Sequence, residues 1–435
     1  MVATLRHTIA AVGFLSASVI SSGWAIAAQA ESTSLNQTAL MQQATDLRSQ
    51  GATGLKTFLQ RHATDLRPGQ IPPTALREAL DHLCQQKDCY TSQLYWYTDL
   101  AAAKAAAQAT GKPILSLRLL GRLDQDLSCA NSRFFRVALY PNTQISQRLR
   151  DRFILHWESV RPVPKVTVDF GDGRVMERTI TGNSIHYILA PDGRPIEALP
   201  GLYGPQAFLQ QLEQAEQAVK QYQQQSPTER NEWLQRYHRD RLVQLQTRWS
   251  ADLAQLGITT KPQLTDQAVP AGQPPSAALA GQIAMTKAMV ESPLITNLLR
   301  DVSQNQQALT DITDKTAWEK LATLNANQAR LDAASIALLR TKKIGTATQP
   351  SVDSQSFTPV IQKFEAAMAL DTVRNEYLLH SQLHQWFIRG TSTRNVDRLN
   401  DQVYSSLFLT PKDDPWLGLI SQDEFSGIEH DGIRQ

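Results

Sequence analysis

Between residues 94 and 222 the apolar positions switch between the period of a helix and that of a strand. Thr98 or Asp99 stands ahead of the alanine-rich stretch DLAAAKAAAQATG, which predicts a capped helix that Gly111 ends. The apolar run from Lys112 to Leu120 has the length of a buried strand. Ser128–Tyr140 and Ile145–Arg150 read as helices, and Phe153–Trp157 as a second strand. Val166–Phe170 and Val175–Ile180 alternate around Gly171-Asp172-Gly173, and Ile185–Leu189 and Pro195–Leu199 alternate around Pro191-Asp192-Gly193, so two hairpins are predicted. Pro205 then opens a helix with Phe208, Leu209 and Leu212 on one side.

The flanks carry the helical period. In 31–92, Leu40, Met41, Ala44 and Leu47 predict one helix, Leu55, Phe58 and Leu59 a second, and Leu76, Leu80 and Leu83 a third that opens after Pro72-Pro73. After Gln225 the pattern is helical throughout. Ser226-Pro227-Thr228-Glu229 is a capping box ahead of Trp233, Leu234, Tyr237 and Val243. Further helices are predicted near 277–291, 293–310, 316–341 and 359–388. Polar, proline-bearing breaks lie at 261–276 and 342–356, and an apolar, aromatic tail covers 407–419. The expected organisation is therefore 1–30 as an export signal, 31–92 as a helical cap, 93–222 as an α/β domain and 223–435 as a helical C-terminal domain.

The export signal rests on a basic start at Arg6 and His7, an apolar run from Ile9 to Ala28 and the small-x-small end Ala28-Gln29-Ala30. Cleavage before Glu31 leaves 42 basic against 41 acidic residues, a net charge of +1. Such a balance gives no electrostatic reason for a nucleic-acid partner. No later stretch approaches the ~18 apolar residues of a spanning helix, so the exported chain is expected not to be an integral membrane protein. The expected location is extracytoplasmic, periplasmic or secreted. In an oxidising compartment the three cysteines leave one over. Cys84 and Cys89, in CQQKDC, are close enough to form a local structural disulfide, with Cys129 as the remaining thiol.

The order helix–strand–helix–strand–hairpin–helix over 94–220 resembles a thioredoxin fold, a mixed sheet flanked by helices. Trp96, the alanine-rich helix and Lys112-Pro113 resemble the entry of periplasmic thioredoxin-like proteins. The hairpin and helix of LAPDGRPIEALPGLYGPQAFLQQL resemble that fold's terminal segment. Cys129-Ala130-Asn131-Ser132 falls where the family has its C-x-x-C turn, with Ser132 in place of the second cysteine. Ser184 stands where the family carries a cis-proline. The resemblance implies a monothiol C-x-x-S variant.

Three groups of residues carry candidate chemistry. Cys129 would sit at a helix N-terminus, where the dipole and open N–H groups favour a thiolate, with Arg122, Arg133 and Arg136 nearby in sequence. A lone thiol suits reduction or isomerisation of disulfides in other exported proteins. His186 shares a sheet face with Ser184 and is a candidate base toward Cys129, whereas His156 reads as a core histidine. Glu376, His380 and His384 recur at i, i+4 and i+8, a spacing able to hold a metal, but two histidines packing beside Tyr377 and Trp386 are the favoured reading, and no metal or cofactor is called for. The two functional expectations are a thiol-disulfide reductase or isomerase working through Cys129, and a non-catalytic interaction or scaffold module built on a degenerate thioredoxin fold, with a protein as partner.

Overall fold

The computed structural model describes residues 37–67, 70–179, 182–259, 261, 315–344, 354–390, 392–408 and 410. The expected signal at 1–30, the helices at 277–310 and nearly all of the tail beyond 408 lie outside the described residues. The chain divides into two compact units between Leu83 and Cys84.

The first unit holds α1 (37–48), α2 (Gly51–Arg61) and α3 (Thr74–Cys84). Leu47, Leu55, Phe58, Leu76, Leu80 and Leu83 are among its buried residues, at positions their helical spacing selects. Arg48 donates to the Leu83 carbonyl (2.8 Å), which ties α1 to the end of α3.

The second unit opens with α4 (Cys89–Ser92) and is built on a five-stranded sheet. Its strands are β1 (Trp96–Tyr97), β2 (Ile114–Leu120), β3 (Ile154–Arg161), β6 (Ser184–Leu189) and β7 (Pro195–Pro200), in the order β1-β3-β2-β6-β7. The first three run parallel and β6 and β7 run antiparallel, so the sheet is mixed. β2 is buried along its whole length, as an apolar run in a central strand must be. The α5 helix (Leu100–Thr110) begins at Asp99, whose side chain accepts from the Ala102 N–H (2.6 Å), and ends at Gly111 in the left-handed region. The α7 helix (Thr143–Arg152) and α8 (Pro205–Gln224) complete the flanks. Between β3 and β6, the strands β4 (Lys165–Asp169) and β5 (Val175–Thr179) form a separate ribbon that exposes Phe170 and Val175. A mixed sheet flanked by helices and followed by a helical region is thus the observed architecture.

The helix expected at Ser128–Tyr140 is α6 (Ala130–Phe134), continued by one π-helical turn over Phe135–Leu139. Beyond α9 (Arg230–Gln255), the single helix expected at 316–341 is broken. It forms α10 (Lys315–Leu324), a 3₁₀ turn at Ala326–Ala329, and α11 (Ala333–Ile344). The break is stabilised locally: Asp332 accepts from the Ser335 N–H (2.9 Å) and restarts the helix. The expected helix at 359–388 is present as α12 (Ser354–Arg374), a π turn over Asn375–His380, and α13 (Ser381–Arg389). A short α14 (Val396–Gln402) follows.

One hydrophobic core runs from Leu94 through the sheet to Phe408, so the helices after 222 pack onto the same core as the strands. Their seam is polar as well as apolar. Asn375 donates to the Leu202 carbonyl (2.7 Å), the Gly204 N–H donates to Thr372 Oγ1 (2.7 Å), and Tyr187 donates to Asn400 (3.3 Å). Arg118, buried in β2, pairs with Glu158 of β3 and with Asp397 of α14.

Candidate functional site

The Cys129 sulfur is fully buried. Cys129 caps α6, and its N–H donates to the carbonyl of Leu120 at the end of β2 (3.1 Å). Leu119 pairs with Ser184, so the strand brings Cys129 and Ser184 to one end of the sheet. The thiol donates to Ser132 Oγ (3.3 Å), and the Ser132 hydroxyl donates back to the Cys129 carbonyl (2.8 Å) with Ser128 Oγ 2.7 Å away. The turn is closed over by residues distant in sequence. Thr179, at the end of β5, donates to the Ser128 carbonyl (3.2 Å) and accepts from Arg133 (3.0 Å). Tyr404 donates to the Asn183 carbonyl (3.1 Å), and Asn183 donates to Thr410 (2.8 Å). Burial first, and then proximity to Cys129, raises the phenols of Tyr140 and Tyr404 well above their ordinary range.

The arginines expected to assist the thiol pair with other groups, and Arg133 and Arg136 do so around Ser128. Arg122 pairs with Asp124, Arg133 with Thr179, and Arg136 with the Asp126 carbonyl and Asp88. His186 does lie on β6 beside Ser184, but its Nε2 bonds to the Tyr140 hydroxyl (2.8 Å) and its ring packs against Phe135 and Phe208. Burial pushes its pKa down to about 3, so it is neutral at neutral pH. His156 is the core histidine expected: Ser116 Oγ meets its Nδ1 at 2.8 Å, and burial, followed by the Arg118 charge, lowers its pKa to about 3. Ser184 is buried with no hydrogen-bond partner for its hydroxyl. Cys84 and Cys89 lie at disulfide-bonding distance, with Cα atoms 6.3 Å apart, and both are buried.

A second constellation differs from the one the spacing suggested. His380 and His384 do meet, rings stacked with centroids 4.2 Å apart. Glu376 is not with them: it accepts from Gln211 (2.8 Å) and pairs with Arg248. The cause is the π turn over Asn375–His380, which widens the repeat from four residues to five and breaks the i, i+4 register between Glu376 and His380. The carboxylate beside the histidines is instead Glu197, from β7: His380 Nε2 donates to its Oε1 (3.0 Å) and Tyr237 donates to its Oε2 (2.8 Å). The His238 ring, from α9, adds a third imidazole, its Nδ1 2.8 Å from His384 Nδ1. All four are buried. Burial works against the Glu197 carboxylate, yet His384, His380 and His238 together hold its pKa well below the usual range. Burial lowers His238 to about 4 and holds His384 well below its ordinary value. One signal for Glu197 was present in the sequence: a lone carboxylate inside the apolar strand PIEALP.

Among the described residues no helix is long and apolar enough to cross a membrane. No family model, no curated protein and no solved structure matches this chain.

Proposed function

We propose that this chain is an exported protein whose thioredoxin-like domain works as an interaction module rather than through thiol exchange. The observation that carries this reading is the burial of the Cys129 sulfur, since the attack on a disulfide needs the sulfur to reach a second sulfur in line. The sheet order and the mixed strand directions support the thioredoxin-like part of the reading. The Cys129–Ser132 turn acts as a packing element, with the thiol behaving as a small hydrophobe that also satisfies a serine. The β4–β5 ribbon, outside the main sheet and carrying exposed Phe170 and Val175 beside Arg174, is the surface this module offers a protein partner.

Insulin reduction with dithiothreitol as the electron source tests the choice. Wild-type protein and Cys129→Ala are expected to leave the uncatalysed rate unchanged. An acceleration that disappears in Cys129→Ala would return the monothiol reductase or isomerase to first place.

A further inference from the structure

We propose that Glu197, His238, His380 and His384 form a closed binding site for a divalent transition-metal cation, with zinc the ion the donor set fits best. The four side chains come from separate places in the fold: β7, α9, the π turn and α13. Donor atoms of Glu197, His380 and His384 all lie within 4.8 Å of one another, and His238 Nδ1 stands 2.8 Å from His384 Nδ1. Tetrahedral zinc, with ligand bonds near 2.0–2.1 Å, sets its donors ~3.3 Å apart. The 3.0 Å contact between His380 and Glu197 and the 2.8 Å contact between His238 and His384 fall just short of that edge, and 4.8 Å is the upper bound among Glu197, His380 and His384.

The chemistry agrees with the geometry. Three imidazoles and one carboxylate suit zinc, nickel or copper, and do not suit magnesium or calcium, which take oxygen donors. Buried histidines resist protonation, and the unprotonated ring is the form that ligates. Interior imidazoles stacked on one another beside a carboxylate are a costly way to fill a core that leucine would fill better, unless the polar atoms have a ligand. His380 Nε2 and His384 Nδ1 face Glu197 and His238 within the cluster, while His380 Nδ1 and His384 Nε2, on the far side of each ring, have no hydrogen-bond partner. Tyr237 supplies the outer contact expected of such a site, a hydroxyl that fixes the carboxylate through Oε2. The π turn has a consequence here too: it rotates Glu376 out toward Arg248 while keeping His380 and His384 one α turn apart on the inner side. With four protein donors and full burial, the site is a structural one that joins β7 to α9 and α13 and leaves no open coordination position.

The test uses the full chain without a histidine tag. Elemental analysis of the purified protein is expected to find about one zinc per chain. Unfolded, stripped and refolded with cobalt(II), the chain is expected to show the intense visible bands of four-coordinate cobalt. His384→Gln and His238→Gln should lose this ion, Tyr237→Phe should weaken zinc binding by about 10–100-fold, and His62→Gln, in the first unit, should change nothing. Where a variant fails to fold, the wild-type cobalt spectrum decides: four-coordinate bands support the site, and only the pale spectrum of hydrated six-coordinate cobalt overturns it. A wild-type chain that refolds fully in zinc and holds less than a tenth of an equivalent also overturns it.

Discussion

Replacing His186 by Gln is expected to shrink the stability lost between pH 7 and pH 5 by about 2 kcal/mol. The folded pKa of His186 is about 3, against 6.5 for the free side chain, and His156 has the same pair of values. Between those limits the unfolded chain binds a proton at each histidine and the folded chain does not. Stability therefore rises with pH across the window. The penalty is absent above pH 6.5, grows as pH falls and levels off below pH 3. At pH 5 each ring has accumulated about 2 kcal/mol, because each pH unit is worth up to 1.36 kcal/mol per group. Urea titrations followed by tryptophan fluorescence measure this, since every tryptophan after residue 30 lies in the second unit. Comparing the wild type with His186→Gln and with His156→Gln isolates each ring from the carboxylates that titrate in the same range. An unchanged pH slope in both variants would mean that water or a proton reaches these rings in the folded state.

The second large effect is steric. Gly204→Ala is expected to cost about 3 kcal/mol or more. A Cβ at Gly204 would lie 2.3 Å from the Gln328 carbonyl oxygen and 2.6 Å from the Ala329 Cα, both backbone atoms that cannot swing aside. The same residue donates to Thr372, so the clash falls on the seam between the sheet and the helices. Gly171→Ala is the comparison. It has a positive φ of 75° but open space around it, and should cost only about 1–2 kcal/mol from backbone strain. Chemical denaturation of the two variants separates the causes: near-equal losses would show that the seam relaxes.

Local signals in the chain carried most of the architecture. Asp99 and Gly111 bound α5, Gly171-Asp172-Gly173 and Pro191-Asp192-Gly193 turn the two hairpins, and Pro205 starts α8. Each of these depends on a residue and its immediate neighbours, which is what a sequence displays. The misreadings came where tertiary contacts decide. The apolar period across 316–341 persists through a real break, because the residues around Asn325 and Asp332 stop and restart the helix without disturbing the spacing of buried positions. Val243 follows the apolar pattern of its helix yet is exposed.

The candidate sites divide in the same way. The sequence placed Cys129 at a helix start next to Ser132, and both are there. It did not show the cover, because Thr179 reaches that turn from 51 residues away and Tyr404 comes near Cys129 from the far end of the chain. Likewise His380 and His384 were visible as an i, i+4 pair, whereas Glu197 and His238 join them only through the packing of β7 and α9. A π turn leaves no distinctive residue signature, so the spacing pointed to Glu376 instead.

The rate at which Cys129 reacts with a disulfide reagent tests the central claim most directly. In native buffer the reaction should run at least about a thousandfold slower than in the denatured chain, and should speed up only as denaturant unfolds the second unit. A native rate within about tenfold of the denatured rate would contradict the account, because a thiol that open to solvent is available for exchange.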